Sequence, residues 1–202
     1  MPDVGPCHGA SPVADAAFEV GVTTLTATID RLYDEACARK SDINEHLPVL
    51  RDLAEGKRVL ELGVRSGEST CAFLAARPEL LVSVDRNWNN LRSGVINAAA
   101  EAGIKWIRLN QDSREPVPIE SFDLLFVDTL HTEEQVRAEL ATHAHKAHRI
   151  AFHDTVTNWT DGELGQPGIS APIMELIRSG EFIVEQANPN NNGLLVLERL
   201  EA

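Results

Sequence analysis

No apolar run in this chain of 202 residues approaches the ~20 residues needed to span a bilayer. The start, Met1-Pro2-Asp3-Val4-Gly5, lacks the basic region and apolar core of a signal peptide. No membrane partner is expected, and the chain is read as cytoplasmic. Cysteine is scarce: Cys7, Cys37 and Cys71 are odd in number and have no metal-ligand spacing. They are expected to be reduced thiols, which argues against a disulfide framework. Positive charge is also short. Lys and Arg number 18 against 31 Asp and Glu, a formal net charge of -13. Nucleic-acid binders usually carry a basic surface, so no nucleic-acid partner is expected. No internal repeat is visible, and no domain boundary after about residue 40.

The length suits one sizeable α/β domain, and 43% apolar with 24% charged residues is an ordinary globular balance. Residues 1–12, rich in Pro and Gly, read as a tail. Phe18, Val22, Leu25, Ile29, Leu32 and Ala36 recur at helical spacing. They predict a helix to about Lys40, which packs beside a sheet or caps a substrate pocket. Residues 41–202 are then the main domain, entered through the polar loop Ser41–His46, a candidate ligand contact. A short helix follows from Pro48, and Gly56 closes it.

The organising stretch is Val59-Leu60-Glu61-Leu62-Gly63-Val64-Arg65-Ser66-Gly67: a buried strand, a glycine-bracketed turn and a helix start. Leu80-Leu81-Val82-Ser83-Val84-Asp85 follows one helix later and ends in an acid. Strand, turn, helix, strand, acid is half of a nucleotide-binding α/β unit. A dinucleotide fold wants G-x-G-x-x-G, with a bare second glycine against the pyrophosphate. Arg65 occupies that place, and Glu61 would repel a pyrophosphate but suits a cationic ligand. Asp85, with Arg86 beside it, stands where an acid accepts both hydroxyls of a ribose. Gln111-Asp112-Ser113 closes a third strand, where amides and acids can bond an adenine edge. A ribose, an adenine, a positive charge and no phosphate describe S-adenosylmethionine (SAM).

The remaining pattern is a helix over Asn87–Ala102, strands at Ile104–Leu109, Phe122–Asp128 and Arg149–Phe152, and a helix from Glu133 behind the capping box Thr132-Glu133-Glu134-Gln135. A Gly-rich insert spans 155–170, of the length that marks lids and substrate loops. A last helix covers Ala171–Ser179, and a strand pair meets around the loop 187–193. These runs together resemble the class I, Rossmann-like SAM-dependent methyltransferases. The resemblance covers about residues 45–200. It implies a seven-stranded, mostly parallel sheet with helices on both faces and an antiparallel last strand, preceded here by the N-terminal helical segment. It also implies that Gly63 and Gly67 line the methionine moiety, that Asp85 holds the ribose and that Asp112 sits near the adenine. The expected cofactor-binding set is Glu61, Gly63, Arg65, Gly67, Asp85, Arg86, Gln111, Asp112, Ser113 and Asp128.

The fourth and fifth strands end in Asp128-Thr129-Leu130-His131 and Phe152-His153-Asp154-Thr155. In an open α/β sheet both tips face the crevice that holds the cofactor. Here the chain is similar to small bacterial sugar O-methyltransferases and cephalosporin-hydroxylase-like relatives. Those carry an acid after strand four and an acidic pair after strand five that hold a divalent metal. The resemblance implies Asp128 and Asp154 as ligands, with His153 in the place of the first acid of the pair. Mg²⁺ prefers oxygen donors, and an imidazole suits Mn²⁺, Fe²⁺ or Zn²⁺. The other reading is a general base, His131 or His153, with no metal.

The expected function is O-methylation of a small natural-product or sugar hydroxyl, with Asp128, His131 and His153 as catalytic residues. A metal-dependent hydroxylase on the same fold and a non-catalytic SAM-binding module are the alternatives. Members of this fold pair often, which makes a homodimer the expected assembly. His143, His145 and His148 read as surface residues at a helix C-terminus. Trp88, Trp106 and Trp159 read as packing residues, with Trp159 a candidate to stack on a substrate.

Overall fold

The computed structural model describes residues 28–200. The tail, Cys7 and the helical pattern before residue 28 lie outside the described residues. Helix α1 covers residues 28–38, α2 Leu47–Ala54, α3 Glu68–Ala75, α4 Val95–Glu101, α5 Glu133–His143 and α6 Ser170–Arg178. The strands are β1 Arg58–Leu62, β2 Leu80–Asp85, β3 Trp106–Asn110, β4 Phe122–Val127, β5 Ala147–His153, β6 Phe182–Asn188 and β7 Leu194–Arg199.

They form one seven-stranded sheet in the order β3-β2-β1-β4-β5-β7-β6. Strands β1 to β5 pair in parallel, and β7 runs antiparallel between β5 and β6. This is the expected seven-stranded architecture with an antiparallel last strand. The central strands β1 and β4 are near-continuous apolar runs because helices cover both faces. Their side chains alternate between faces. Val59, Leu81, Leu124 and Phe126 pack with Ile29, Leu47, Leu50 and Phe73 from the first three helices. Leu60, Leu62, Leu125 and Phe152 pack with Val136, Leu140 and Ile173 from α5 and α6. Among the described residues no helix is long and apolar enough to cross a membrane.

Three local expectations need correction. The helix expected over 87–102 begins only at Val95. Asn87 instead caps the start of a 3-10 turn by accepting from the Asn89 amide at 3.0 Å, and Gly94, at φ +88°, resets the chain before α4. The capping box at α5 is half made. Thr132 accepts from the Gln135 amide, but the Gln135 side chain turns inward to Ser113 and Glu139. Of the three histidines read as surface residues, His145 is exposed, but His143 is not. His143 is fully buried and bonds the Ser113 carbonyl at 2.8 Å. His145 sits in a 3-10 turn and His148 on β5, beyond the end of α5.

Candidate active site

The C-terminal tips of β1, β2, β3 and β4 surround a cavity of about 300 Å³. Its lining includes Gly63, Arg65, Asp85, Arg86, Gln111, Asp112, Ser113 and Asp128, with Val64, Val84, Thr129, Leu130 and Gln135. Ten residues were expected here from sequence, and Glu61 and Gly67 are the two that do not line the cavity. Glu61 points to the α3 face of the sheet. It is fully buried and accepts from Ser69 at 2.7 Å, Thr70 at 2.9 Å and Ser83 at 2.5 Å. Burial pushes its carboxyl up to about 7 against the three hydroxyls that favour the charge. Gly67 is the N-cap of α3 at φ +85°, and a Cβ there would meet Leu91 Cδ1 at 2.6 Å. Gly63 lines the cavity because the chain demands it. A Cβ on Gly63 would lie 1.9 Å from the Asp128 carbonyl oxygen, so bare backbone is what lets the β1 and β4 tips meet.

Asp85 holds the turn in shape. Its Oδ2 accepts from the amides of Val64 (2.8 Å) and Arg65 (3.0 Å), and its Oδ1 from Asn87 (2.7 Å). An ionised carboxylate offers about four acceptor sites, so one remains for a ligand hydroxyl. Arg65, at φ +48°, aims its guanidinium out of the turn into a bidentate pair with Asp42 at 2.7 Å. The polar loop over 41–46 is thereby clasped to the cofactor turn. Asp112 is held by Arg114 and by Arg86. The Arg114 hydrogen bonds hold its carboxyl well below the usual carboxylate range, despite some desolvation.

The β4 and β5 tips bring Asp128, His131, His153 and Asp154 together. His131 Nε2 lies 3.2 Å from Asp128 Oδ1 and 3.1 Å from Asp154 Oδ2. His131 Nδ1 bonds Glu163 Oε1 at 2.7 Å. His153 Nδ1 faces Asp128 Oδ1 at 3.3 Å and Asp154 Oδ2 at 3.7 Å, while its Nε2 bonds the Asp42 carbonyl at 3.0 Å. Asp154 takes a left-handed backbone, φ +59°, which an Asp tolerates better than a bulky side chain. This conformation directs the first residue after β5 back onto the cluster. Burial disfavours the His131 imidazolium, but the Asp128 and Asp154 charges and the Glu163 bond outweigh it and raise its pKa to about 9. The two histidines in turn hold Asp128 well below its ordinary range, against its own desolvation.

The donor set fits a metal. Asp128, His131 and Asp154 offer one ligand atom each within 4.8 Å of one another. The expected trio had His153 in the imidazole place; the geometry groups His131 with the two acids. Asp154 Oδ1 is buried without a partner, and His131 Nε2, though at ion-pair distance from both acids, makes no aligned hydrogen bond to either. An imidazole whose far nitrogen donates to a carboxylate is a common metal-ligand arrangement, and His131 with Glu163 has that form.

Glu163 carried no signal in the sequence. It comes from the insert over 155–170, which closes on itself through Gly168 N to Thr160 O and Ile169 N to Asn158 O. The insert then docks on the site, with the Glu163 amide donating to the His131 carbonyl. Trp159 is partly buried in the core behind α6. It also lines a second, apolar cavity of about 370 Å³ with Val156, Pro189 and Leu195. Trp88 and Trp106 pack against each other, ring centroids 6.2 Å apart.

Residues 60–155 match the family described as "Methyltransferase domain". No curated protein sequence matches the chain. Among solved structures, the chain is similar to the O-methyltransferase from Bacillus cereus in complex with SAH. The TM-score is 0.60 at 16% identity, over 88% of this chain and 91% of that one. The Burkholderia thailandensis 1,6-didemethyltoxoflavin-N1-methyltransferase, with its namesake substrate and S-adenosylhomocysteine bound, gives 0.60 at 15% identity over 96% and 94%. The pyocyanin biosynthetic protein PhzM gives 0.54 at 16% identity over 78% of this chain, which spans only 56% of that one. At these identities the likeness is one of fold.

Proposed function

We propose, for a chain that is a class I, Rossmann-like SAM-dependent methyltransferase, that the methyl acceptor is a hydroxyl of a small natural product or sugar. We further propose that a divalent metal assists the transfer. The observation that carries this reading is the trio of Asp128, half-buried at the rim of the cofactor cavity, with the buried His131 and Asp154, in which two buried polar atoms make no aligned hydrogen bond. A neutral amine attacks through its lone pair without a metal, whereas an alcohol is a poor nucleophile until its proton is removed, and such a cluster serves that need. Similar folds include both an O- and an N-methyltransferase, so this chemistry, not the fold, argues for oxygen.

When bound, SAM supplies the electrophilic methyl and the metal lowers the pKa of a coordinated hydroxyl. The chain's own residues do the rest. Asp85 and the Gly63 turn orient the cofactor, and Asp128 borders both the cavity and the metal trio. Glu163 fixes the His131 tautomer so that Nε2 faces the acids. His131 does not act as a general base at neutral pH: without metal it is protonated, and with metal its lone pair is a ligand. His153, tied through Nε2 to the Asp42 carbonyl, keeps Nδ1 toward Asp128, whose charge raises its pKa too against burial, so it orients Asp128 and would accept a proton only after giving up its own. The imidazole donor favours Mn²⁺, Fe²⁺ or Zn²⁺ over Mg²⁺. It also supports a second reading, oxidation of the substrate on the same fold. The free thiols of Cys37 and Cys71 suit a reducing cytoplasm, and we assign the enzyme there, as a homodimer acting on a small molecule and not on nucleic acid or membrane.

The test is methyl transfer to a panel of hydroxylated small molecules, with chelator and then with Mn²⁺ restored, alongside oxygen consumption. Chelator-sensitive methylation that Asp154→Ala abolishes is the expected result. Full turnover after exhaustive chelation refutes the metal, and oxygen uptake without methyl transfer favours the second reading.

A further inference from the structure

Ser113, Thr129 and Gln135 line the cavity at the β3 and β4 tips. Behind them lies Glu139 of α5, fully buried. Its Oε1 accepts from Ser113 Oγ at 2.5 Å, Thr129 Oγ1 at 2.7 Å and Gln135 Nε2 at 2.8 Å. Gln135 Nε2 donates also to Ser113 Oγ at 2.9 Å. Glu139 Oε2 is buried without a partner.

Counting hydrogens gives this wall a direction. A primary amide has two N–H donors and a hydroxyl has one. Both amide hydrogens of Gln135 and the hydroxyl hydrogens of Ser113 and Thr129 are spent inward. What these side chains can offer a ligand is the Gln135 carbonyl oxygen and hydroxyl lone pairs, all acceptors. Asp112 beside them already takes four donors from Arg114 and Arg86, so the acceptors offered to a ligand on this wall come from Ser113, Thr129 and Gln135. A carboxyl group is needed behind them because Oε1, which takes all three bonds, carries no hydrogen to give back; burial pushes this carboxyl up, and a proton on it would sit on the unpartnered Oε2. A glutamine at position 139 can present an N–H, and the Gln135 amide is then free to reverse.

We propose that Glu139 is a positioning residue that makes this end of the cavity an acceptor surface and so selects a purine with a 6-amino group over its 6-oxo counterpart. The proposal rests on the SAM reading above. Glu139 touches no ligand itself; it acts through Ser113, Thr129 and Gln135. A 6-oxo purine would set its carbonyl oxygen against these acceptors and leave buried polar groups mispaired, which costs about tenfold or more in affinity.

Calorimetry on the full chain with S-adenosylhomocysteine and its deaminated analogue S-inosylhomocysteine tests this. The wild type is expected to prefer the adenosyl compound by about tenfold or more, and Glu139→Gln to bring that ratio to about threefold or less. A purely structural lesion weakens both ligands in proportion and leaves the ratio alone. Should Glu139→Gln not fold, Gln135→Met removes the amide from a partly exposed position and is expected to lower the ratio likewise. Equal wild-type affinities, or a ratio unchanged in a folded variant, overturn the proposal and leave the cofactor reading standing. A wild type that binds neither compound overturns both.

Discussion

Metal binding at the β4 and β5 tips should displace the proton that the surrounding acids hold on His131. Its Nδ1 is committed to Glu163 at 2.7 Å, and its Nε2 lies 3.2 and 3.1 Å from Asp128 and Asp154. A metal needs the Nε2 lone pair, so ion and proton compete for one atom. With the pKa raised to about 9, nearly every molecule carries that proton at pH 7. Apparent affinity then falls tenfold for each pH unit below 9, or about 100-fold between pH 8 and pH 6 (about 1.4 kcal/mol per unit). A histidine at its ordinary ~6.5 would lose only about fourfold over the same interval. The assay is calorimetric titration of chelator-treated protein with Mn²⁺ at pH 6, 7 and 8, in buffers of different ionisation enthalpy. About one proton should leave per ion at pH 7. A dependence steeper than tenfold per unit would mean that His153, whose pKa is also raised by Asp128 against burial, surrenders its proton as well. A fourfold change with no proton release would refute the reasoning.

Two further outcomes follow from the same geometry. Glu163→Ala should weaken Mn²⁺ binding about 10- to 100-fold, the usual effect of losing a ligand's outer partner, and should flatten its pH dependence. The Glu163 side chain is 43% exposed, so thermal melting should hardly move. Glu61 gives a stability signature. Its folded pKa of about 7 lies above the unfolded value, so the native state binds the extra proton, and stability present below about pH 4.5 is lost as pH rises through 7. Urea unfolding of wild type and Glu61→Gln at pH 5 and pH 8 should differ in their pH response by roughly 2–3 kcal/mol. An identical response in the two would show that the buried acid does not titrate.

The sheet and its cavity were legible in the residues because the signals there are local. Leu80–Asp85 and Phe122–Asp128 are apolar runs broken by an acid, and a parallel sheet brings every such break to one edge. Asp85, Arg86, Gln111, Asp112 and Ser113 therefore fell into one cavity, with Arg65 beside Asp85. The same logic placed Asp128 and Asp154 at neighbouring tips.

What the sequence determined by itself is the fold class, the strand tips and the acids standing on them. Only the tertiary structure decided which side chains meet there. Glu61 sits beside a glycine turn in sequence, yet strand alternation sends it to the opposite face. His131 and His153 are equivalent by position, and only the Glu163 bond and the Asp42 carbonyl distinguish their free nitrogens. Glu163 lies 32 residues beyond His131 and Glu139 lies 26 beyond Ser113, separations over which no periodicity speaks. Secondary structure follows from neighbours along the chain. A site depends on the direction of each Cβ and on how loops fold over a sheet edge, and those are set by packing and hydrogen bonding across the whole domain.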